Sequence, residues 1–243
     1  MTYKIFAPQQ LSATIKLPAS KSISNRALII HALSGGNIMP DNLSVCDDTH
    51  VVVRALETMP HTIDIKAAGT AMRFLTAYLS VTPGEHVITG TERMKHRPIK
   101  VLVEALRTLG ADIRFLGEEG FPPLHINGAS LEGGRVCIPG NVSSQYVSAL
   151  LLVGPALKKG LELQLTGSIV SRPYIDLTLW LMREYGADAD WTSGDTIIVK
   201  PKPYARRRFL IENDWSAASY WYEMTALYDC DTTKVRLGGL MDA

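Results

Sequence analysis

The sequence predicts an α/β fold assembled from a repeated unit of about 75 residues, the separation of Arg97 from Arg172. Two observations carry this. Residues 84–90 form a short β-like run closing on Thr-Gly, and residues 160–167 are its counterpart. Each run is followed by an Arg-Pro pair, Arg97-Pro98 and Arg172-Pro173, that opens a helical stretch ending in Gly-Ala-Asp.

The helices are justified by apolar spacing. Ile99, Leu102, Val103 and Leu106 fall on one face of 99–109; Leu177, Leu181 and Tyr185 do so in 174–185. Proline in the first turn and glycine just past the end are the expected punctuation. Strand-like runs follow at 112–116, 124–126, 135–138 and 196–199. The unit therefore reads helix, strand, helix, strand, then one or more further strands. Residues 22–33 and 47–59 look like the two helices of an earlier, worn copy. Residues 214–228 and 233–237 look like the first helix and strand of a later one. That copy is unfinished at Ala243, so the chain is expected to be part of a longer protein. The Pro-rich, basic stretch 200–208 is the candidate domain boundary.

A chain of 243 residues with 46% hydrophobic and 20% charged residues has the composition of a globular protein with a real core. A formal net charge of +1 argues against a general polyanion binder. Cys46, Cys137 and Cys230 lack C-x-x-C spacing and fit small buried residues in a reducing compartment. The N-terminus lacks a signal-like apolar stretch, and the longest apolar run, 147–157, is too short to cross a bilayer. A cytoplasmic protein without membrane or nucleic-acid partners is expected.

Four stretches place small and hydroxyl-bearing residues just before an apolar helical run. They are Ala19-Ser20-Lys21-Ser22, Ala68-Gly69-Thr70, Val142-Ser143-Ser144-Gln145 and Asp214-Trp215-Ser216. A helix N-terminus carries free N–H groups and partial positive charge, which suits an anion. For any single helix, capping is the simpler explanation of a Ser or Thr. Several together, with Lys21, Arg26 and Arg97, point to a small, multiply charged anion.

Competing readings fare worse. Lys21-Ser22 is no P-loop, since glycine is missing both before Lys21 and at Ile15. The six histidines lack metal-ligand spacing, so no metal is expected. Arg206-Arg207-Arg208 with Lys200 and Lys202 lacks an aromatic RNA-binding companion and reads as a solvated linker.

At 17–28, Leu-Pro-Ala-Ser-Lys-Ser-Ile-Ser-Asn-Arg-Ala-Leu, the chain resembles the enolpyruvyl transferases of the shikimate pathway. The resemblance continues through Asp47-Asp48-Thr49, Ala68-Gly69-Thr70-Ala71-Met72-Arg73 and Arg93-Met94-Lys95-His96-Arg97-Pro98-Ile99. It resumes at Val142-Ser143-Ser144-Gln145, at 170–176 and at 214–220. It implies an enolpyruvyl-transferase-like domain of three βαβαββ units, an inverse αβ prism, plus a partial second domain. Residues 20–208 would be the domain that holds shikimate 3-phosphate. Residues 1–19 and 209–243 would be the first strands of, and the return into, the second.

The same resemblance implies an enzyme that transfers the enolpyruvyl group of phosphoenolpyruvate to the 5-hydroxyl of shikimate 3-phosphate, without cofactor or metal, as a monomer. It places Lys21 between both substrates as a catalytic residue. A lysine pKa moves readily, which suits phosphate binding and proton exchange. Lys21, Ser22, Arg26, Ser143, Ser144, Gln145, Ser171 and Tyr174 resemble the contacts to shikimate 3-phosphate. Lys21, Gly69, Arg97 and Gln145 resemble those to phosphoenolpyruvate. Arg26 lies four residues after Ser22, on the same helical face. Tyr174 alone would more often be a packed aromatic, and Arg97 alone a surface ion-pair partner. Two departures stand out: Ala67 where the family usually carries Asn, and Ala217 where it often has a second serine. The family's acid/base carboxylates and further phosphoenolpyruvate-binding cations lie in the half not covered here, so this chain alone is expected to be inactive. A ligand-binding role without turnover is the alternative. A cell-wall-type enolpyruvyl transferase is disfavoured by the Ser-Lys-Ser-x-Ser-Asn-Arg block.

Overall fold

The computed structural model describes residues 3, 4, 6, 11–228 and 234–241. Chain order reads directly as units. The first stretch holds β1 (Ser12–Lys16), α1 (Lys21–Leu33) and α2 (Asp47–Thr58). Then come β2 (Thr62–Asp64), α3 (Gly69–Val81), β3 (Gly84–Thr89), the short α4 (Glu92–Lys95), α5 (Lys100–Thr108), β4 (Asp112–Phe115) and β5 (Leu124–Gly128). The next unit is β6 (Gly134–Pro139), α6 (Ser144–Val153), β7 (Leu161–Thr166), α7 (Arg172–Glu184), β8 (Ala189–Trp191) and β9 (Thr196–Val199). α8 (Trp215–Leu227) and β10 (Lys234–Gly238) close the described chain.

The repeat is real and is βαβαββ. Its two full copies form four-stranded sheets of identical design, ordered β2-β3-β5-β4 and β6-β7-β9-β8. In each, the first two strands are parallel and the remaining pairings antiparallel. The earlier copy is abbreviated. It supplies α1 and α2, and after Met59, which is left-handed (φ 38), the chain enters β2 within three residues. Among the described residues its strand contacts are the isolated bridges Asp41–Leu210 and Ala19–Asn213. The later copy gives α8 and β10, and β10 pairs in parallel with β1. Thr233 and Cys230 lie outside the described residues.

Helices occupy the centre and sheets the outside. Most surface helices bury one stripe. α1 instead buries every residue from Ile23 to Ile30, α3 every residue from Gly69 to Ser80, and α6 every residue from Tyr146 to Val153. Several of their hydroxyls are satisfied by the local backbone: Ser24 donates to Ser20 O, Thr76 to Met72 O and Ser80 to Thr76 O, each at 2.7 Å. α2, α5 and α7 pack around this centre on narrower apolar faces, burying for example Leu102, Val103 and Leu106 on α5. Each sheet buries alternate residues, such as Leu161, Leu163 and Leu165 of β7, and leaves its other face to solvent.

Several details differ from the sequence expectation, among them Cys137, which is exposed on β6 and not buried, and Cys46, which is only partly buried. Arg97-Pro98 does not open its helix directly: Ile99 N–H donates to Gly120 O at 2.9 Å, and α5 starts only at Lys100. Pro173, by contrast, sits in the first turn of α7 as expected. β2 and β8 are additional edge strands of three residues, each burying one side chain, too short for alternation to show. The stretch 200–211 is anchored: Tyr204 donates to Leu152 O at 3.0 Å, and Phe209 packs 5.5 Å from the Tyr185 ring.

The end of β5 lies on the C-terminus of α3, where a Cβ at Gly128 would overlap the carbonyl oxygens of Thr82 and Leu79. Gly128→Ala is therefore expected to destabilise the protein by about 3 kcal/mol, since backbone cannot yield as a side chain does. Denaturant unfolding of the variant beside wild type measures this.

Candidate anion-binding site at the helix N-termini

A cavity of about 270 Å³ lies where four helices begin. α1 contributes Lys21, Ser22, Asn25 and Arg26; α3 contributes Thr70; Ser143, Ser144 and Gln145 come from the start of α6, and Ser171 and Tyr174 from that of α7. Eight residues named from the sequence thus meet in one place. Asn25 and Thr70 join them. The α8 start borders a neighbouring cavity that shares Ser22 and Tyr174.

Capping accounts for some of the hydroxyls and not for others. Ser20 Oγ accepts from Ile23 N–H at 3.3 Å, and Ser143 Oγ from Gln145 N–H at 3.4 Å. Ala68 precedes α3 and gives it no side-chain cap, and Ser171, left-handed (φ 55) just before α7, makes no capping hydrogen bond either. Ser22, Ser144 and Ser171 make no side-chain hydrogen bond among the described residues. Free N–H groups, free hydroxyls and converging positive helix ends give a site for a polyoxygenated anion.

Charge sharpens this. The cavity lining holds Lys21 and Arg26 and no carboxylate. Arg26 is 3% exposed. Burial pulls its pKa down to about 10, opposed by the nearby Tyr174. Its guanidinium donates only to neutral groups: Nε to Thr178 Oγ1 at 2.7 Å, Nη1 to Ser22 O at 2.9 Å, Nη2 to Ser148 Oγ at 3.0 Å and to Tyr174 O at 3.4 Å. Buried charges are normally paired. This one is paired by the protein with nothing negative. Lys21 is half exposed and meets Asp48 at 3.4 Å, an acid at the start of α2 within the Asp47-Asp48-Thr49 stretch, which the sequence pattern alone does not tie to the site.

A second cationic cluster adjoins the first. Arg97 lies across the start of α3, where a Cβ on Gly69 would collide with its guanidinium. The Arg97 guanidinium has no hydrogen-bond or ion-pair partner among the described residues, and Arg97 lines a cavity of about 420 Å³ with Ala67, Arg93 and Met94. Beneath it, Arg73 is 4% exposed and donates to Gly69 O at 2.9 Å and Pro98 O at 3.3 Å, its Nε unpartnered. Burial lowers the Arg73 pKa; Tyr146 opposes the shift and Arg97 adds to it. Gln145 links the two clusters, donating to Thr70 Oγ1 at 3.2 Å. Among the described residues, no group of three His, Cys, Asp or Glu could hold a metal ion, and no helix is long and apolar enough to cross a membrane.

Asp48 is the carboxylate that competes with a ligand for Lys21. Asp48→Asn is expected to change folding stability by less than about 1 kcal/mol, because the pair is partly exposed. It should tighten binding of inorganic phosphate several-fold. Thermal melts and a phosphate titration on the same variant check both halves.

A 3-phosphoshikimate 1-carboxyvinyltransferase of Bacteroides fragilis is 64% identical over 227 residues, which span 93% of this chain and 55% of that protein. One from Shewanella halifaxensis is 36% identical over 260 residues, covering 96% of this chain and 61% of the relative. The chain thus spans little more than half the length of the curated relatives it matches. An EPSP synthase structure from Acinetobacter baumannii superposes with a TM-score of 0.81 at 22% identity, over 95% of this chain and 57% of that one, and shows the shared fold. Residues 5–64 and 59–237 match the family pattern itself, and the chain belongs to the EPSP synthase (3-phosphoshikimate 1-carboxyvinyltransferase) family.

Proposed function

We propose that this chain supplies the shikimate 3-phosphate face of a 3-phosphoshikimate 1-carboxyvinyltransferase, acting in the shikimate pathway to aromatic amino acids. The observation that carries the reading is Arg26, a buried cation with neutral partners at the floor of a cavity formed by helix N-termini. In the reaction, the 5-hydroxyl of shikimate 3-phosphate gives up its proton as its oxygen bonds to C2 of phosphoenolpyruvate, and C3 gains a proton. Loss of phosphate from C2 and of a proton from C3 then leaves the enolpyruvyl ether. No redox partner is needed, and the protein's task is positioning, charge and proton movement.

The residues suit those tasks. Ser22, Ser144 and Ser171 with the α6 and α7 N-termini offer donors to the phosphate and carboxylate of shikimate 3-phosphate, and Arg26 offers charge. Gln145 sits between that cavity and the Gly69–Arg97 cluster, where the carboxylate and phosphate of phosphoenolpyruvate would relieve the repulsion between Arg97 and Arg73. Lys21, released from Asp48, stands at the cavity mouth as the group that can hold phosphate and exchange a proton. Ala67 leaves the second cluster without an amide. We assign the ligand-holding unit to residues 20–208, with 1–19 and 209–243 leading into a second domain, and place the protein in the cytoplasm as a monomer. Binding without turnover is the second reading, favoured by the chain spanning 55% of its Bacteroides fragilis relative.

Two measurements test this. Ser143→Ala removes a cap and should lower folding stability by about 1 kcal/mol. Ser144→Ala removes an uncommitted hydroxyl and should instead weaken shikimate 3-phosphate binding by about fivefold at unchanged stability. Calorimetry showing equal affinity for shikimate and its 3-phosphate would overturn the phosphate assignment. In the second test, phosphate release is followed from both substrates. The chain alone should bind shikimate 3-phosphate yet form essentially no product, and addition of the remaining half of a full-length relative should restore turnover. Robust turnover by the chain alone would show that one face of the cleft suffices.

A further inference from the structure

Arg26 on α1 is held by two buried hydroxyls from distant parts of the chain, Ser148 on α6 and Thr178 on α7, both 0% exposed. Their proton directions are fixed by the geometry. Thr178 Oγ1–H donates to Tyr174 O at 2.7 Å, so in the 2.8 Å contact between the two hydroxyls Ser148 is the donor. Each hydroxyl therefore turns its lone pairs to the guanidinium, Thr178 to Nε and Ser148 to Nη2. An arginine has five N–H groups, and the four contacts of Arg26 leave one, on Nη1, uncommitted. The face of the Phe74 ring lies 5.4 Å away and adds no negative charge.

We infer that Ser148 and Thr178 are positioning residues for ligand binding, a neutral cradle that fixes the guanidinium of Arg26 while leaving its full charge to the ligand's anionic group. A carboxylate at either position would hold Arg26 as firmly and satisfy its burial better, but it would cancel the charge that the ligand meets. The hydroxyls satisfy hydrogen-bond geometry without that cancellation. The inference rests on the proposal that this cavity binds shikimate 3-phosphate.

The test pairs affinity with stability in the same variants. Thr178→Val, nearly isosteric and without the hydroxyl, is expected to weaken shikimate 3-phosphate binding about tenfold, and Thr178→Ser to restore it. Ser148→Asp is expected to keep or raise the thermal midpoint while weakening binding more than about tenfold. A merely structural role predicts that affinity follows stability, so opposite signs in Ser148→Asp separate the two. Should Thr178→Val fail to fold, Ser148→Ala makes the same comparison. Wild-type affinity in Ser148→Asp, or equal behaviour of the valine and serine variants, overturns the cradle. If wild type binds no shikimate 3-phosphate, the substrate reading fails instead. The cradle is then judged by the same order of variants with inorganic phosphate as the probe.

Discussion

The constraint on which the rest depends is the side-by-side burial of α1, α3 and α6. A helix buried on every side carries mostly apolar and small hydroxyl residues, and here its larger polar residues, Asn25, Arg26 and Arg73, fall in the first two turns. Here three such ends open on the same side, joined by the start of α7. Nothing in the interior can satisfy them, so a polar cavity forms there. The sheets, each with one face in solvent, enclose the helices and contribute no residue to the cavity lining. Core packing and ligand site are thus one arrangement seen at its middle and at its end.

That arrangement carries strain of an electrostatic kind. Arg26 and Arg73 are both nearly inaccessible, both have pKa values lowered chiefly by burial, and neither faces a carboxylate. Arg97 adds a third cation against the α3 N-terminus. In a protein built for stability alone, these would be paired or replaced by apolar residues. An anion bound there would relieve the repulsion between Arg73 and Arg97, and would thereby couple binding to fold stability.

Much of this is legible in the sequence, and the limits have physical causes. The repeat shows because Thr-Gly, Arg-Pro and Gly-Ala-Asp mark turns whose backbone needs those residue types. The Ser-rich helix starts show because N-termini favour hydroxyls. The three-residue strands β2 and β8 do not show, since one buried residue makes no alternation. Ser148 and Thr178 are hidden for another reason. Each reads as an ordinary small polar residue inside a helix, and their meaning appears only when folding brings them to Arg26 from 122 and 152 residues away. Asp48 was in view but had no role until α2 set it beside Lys21.

The abbreviated first unit shows how little the site depends on its strands. Among the described residues α1 has no four-stranded sheet of its own, yet Lys21, Ser22 and Arg26 still reach the cavity. Its position is set by helix neighbours on one side and by polar ties to the following segment on the other. Ser44 N–H donates to Ser24 Oγ at 3.0 Å, and Thr49 Oγ1–H donates to Asn25 Oδ1 at 3.0 Å. The Thr49 bond ties α2 to α1, fixing its first turn and therefore the Lys21–Asp48 pair. The end of α1 that lines the candidate site is held by helix packing and buried hydrogen bonds, not by outer strands of its own unit. Among the described residues the copies agree where three helices meet, and differ in their outer strands.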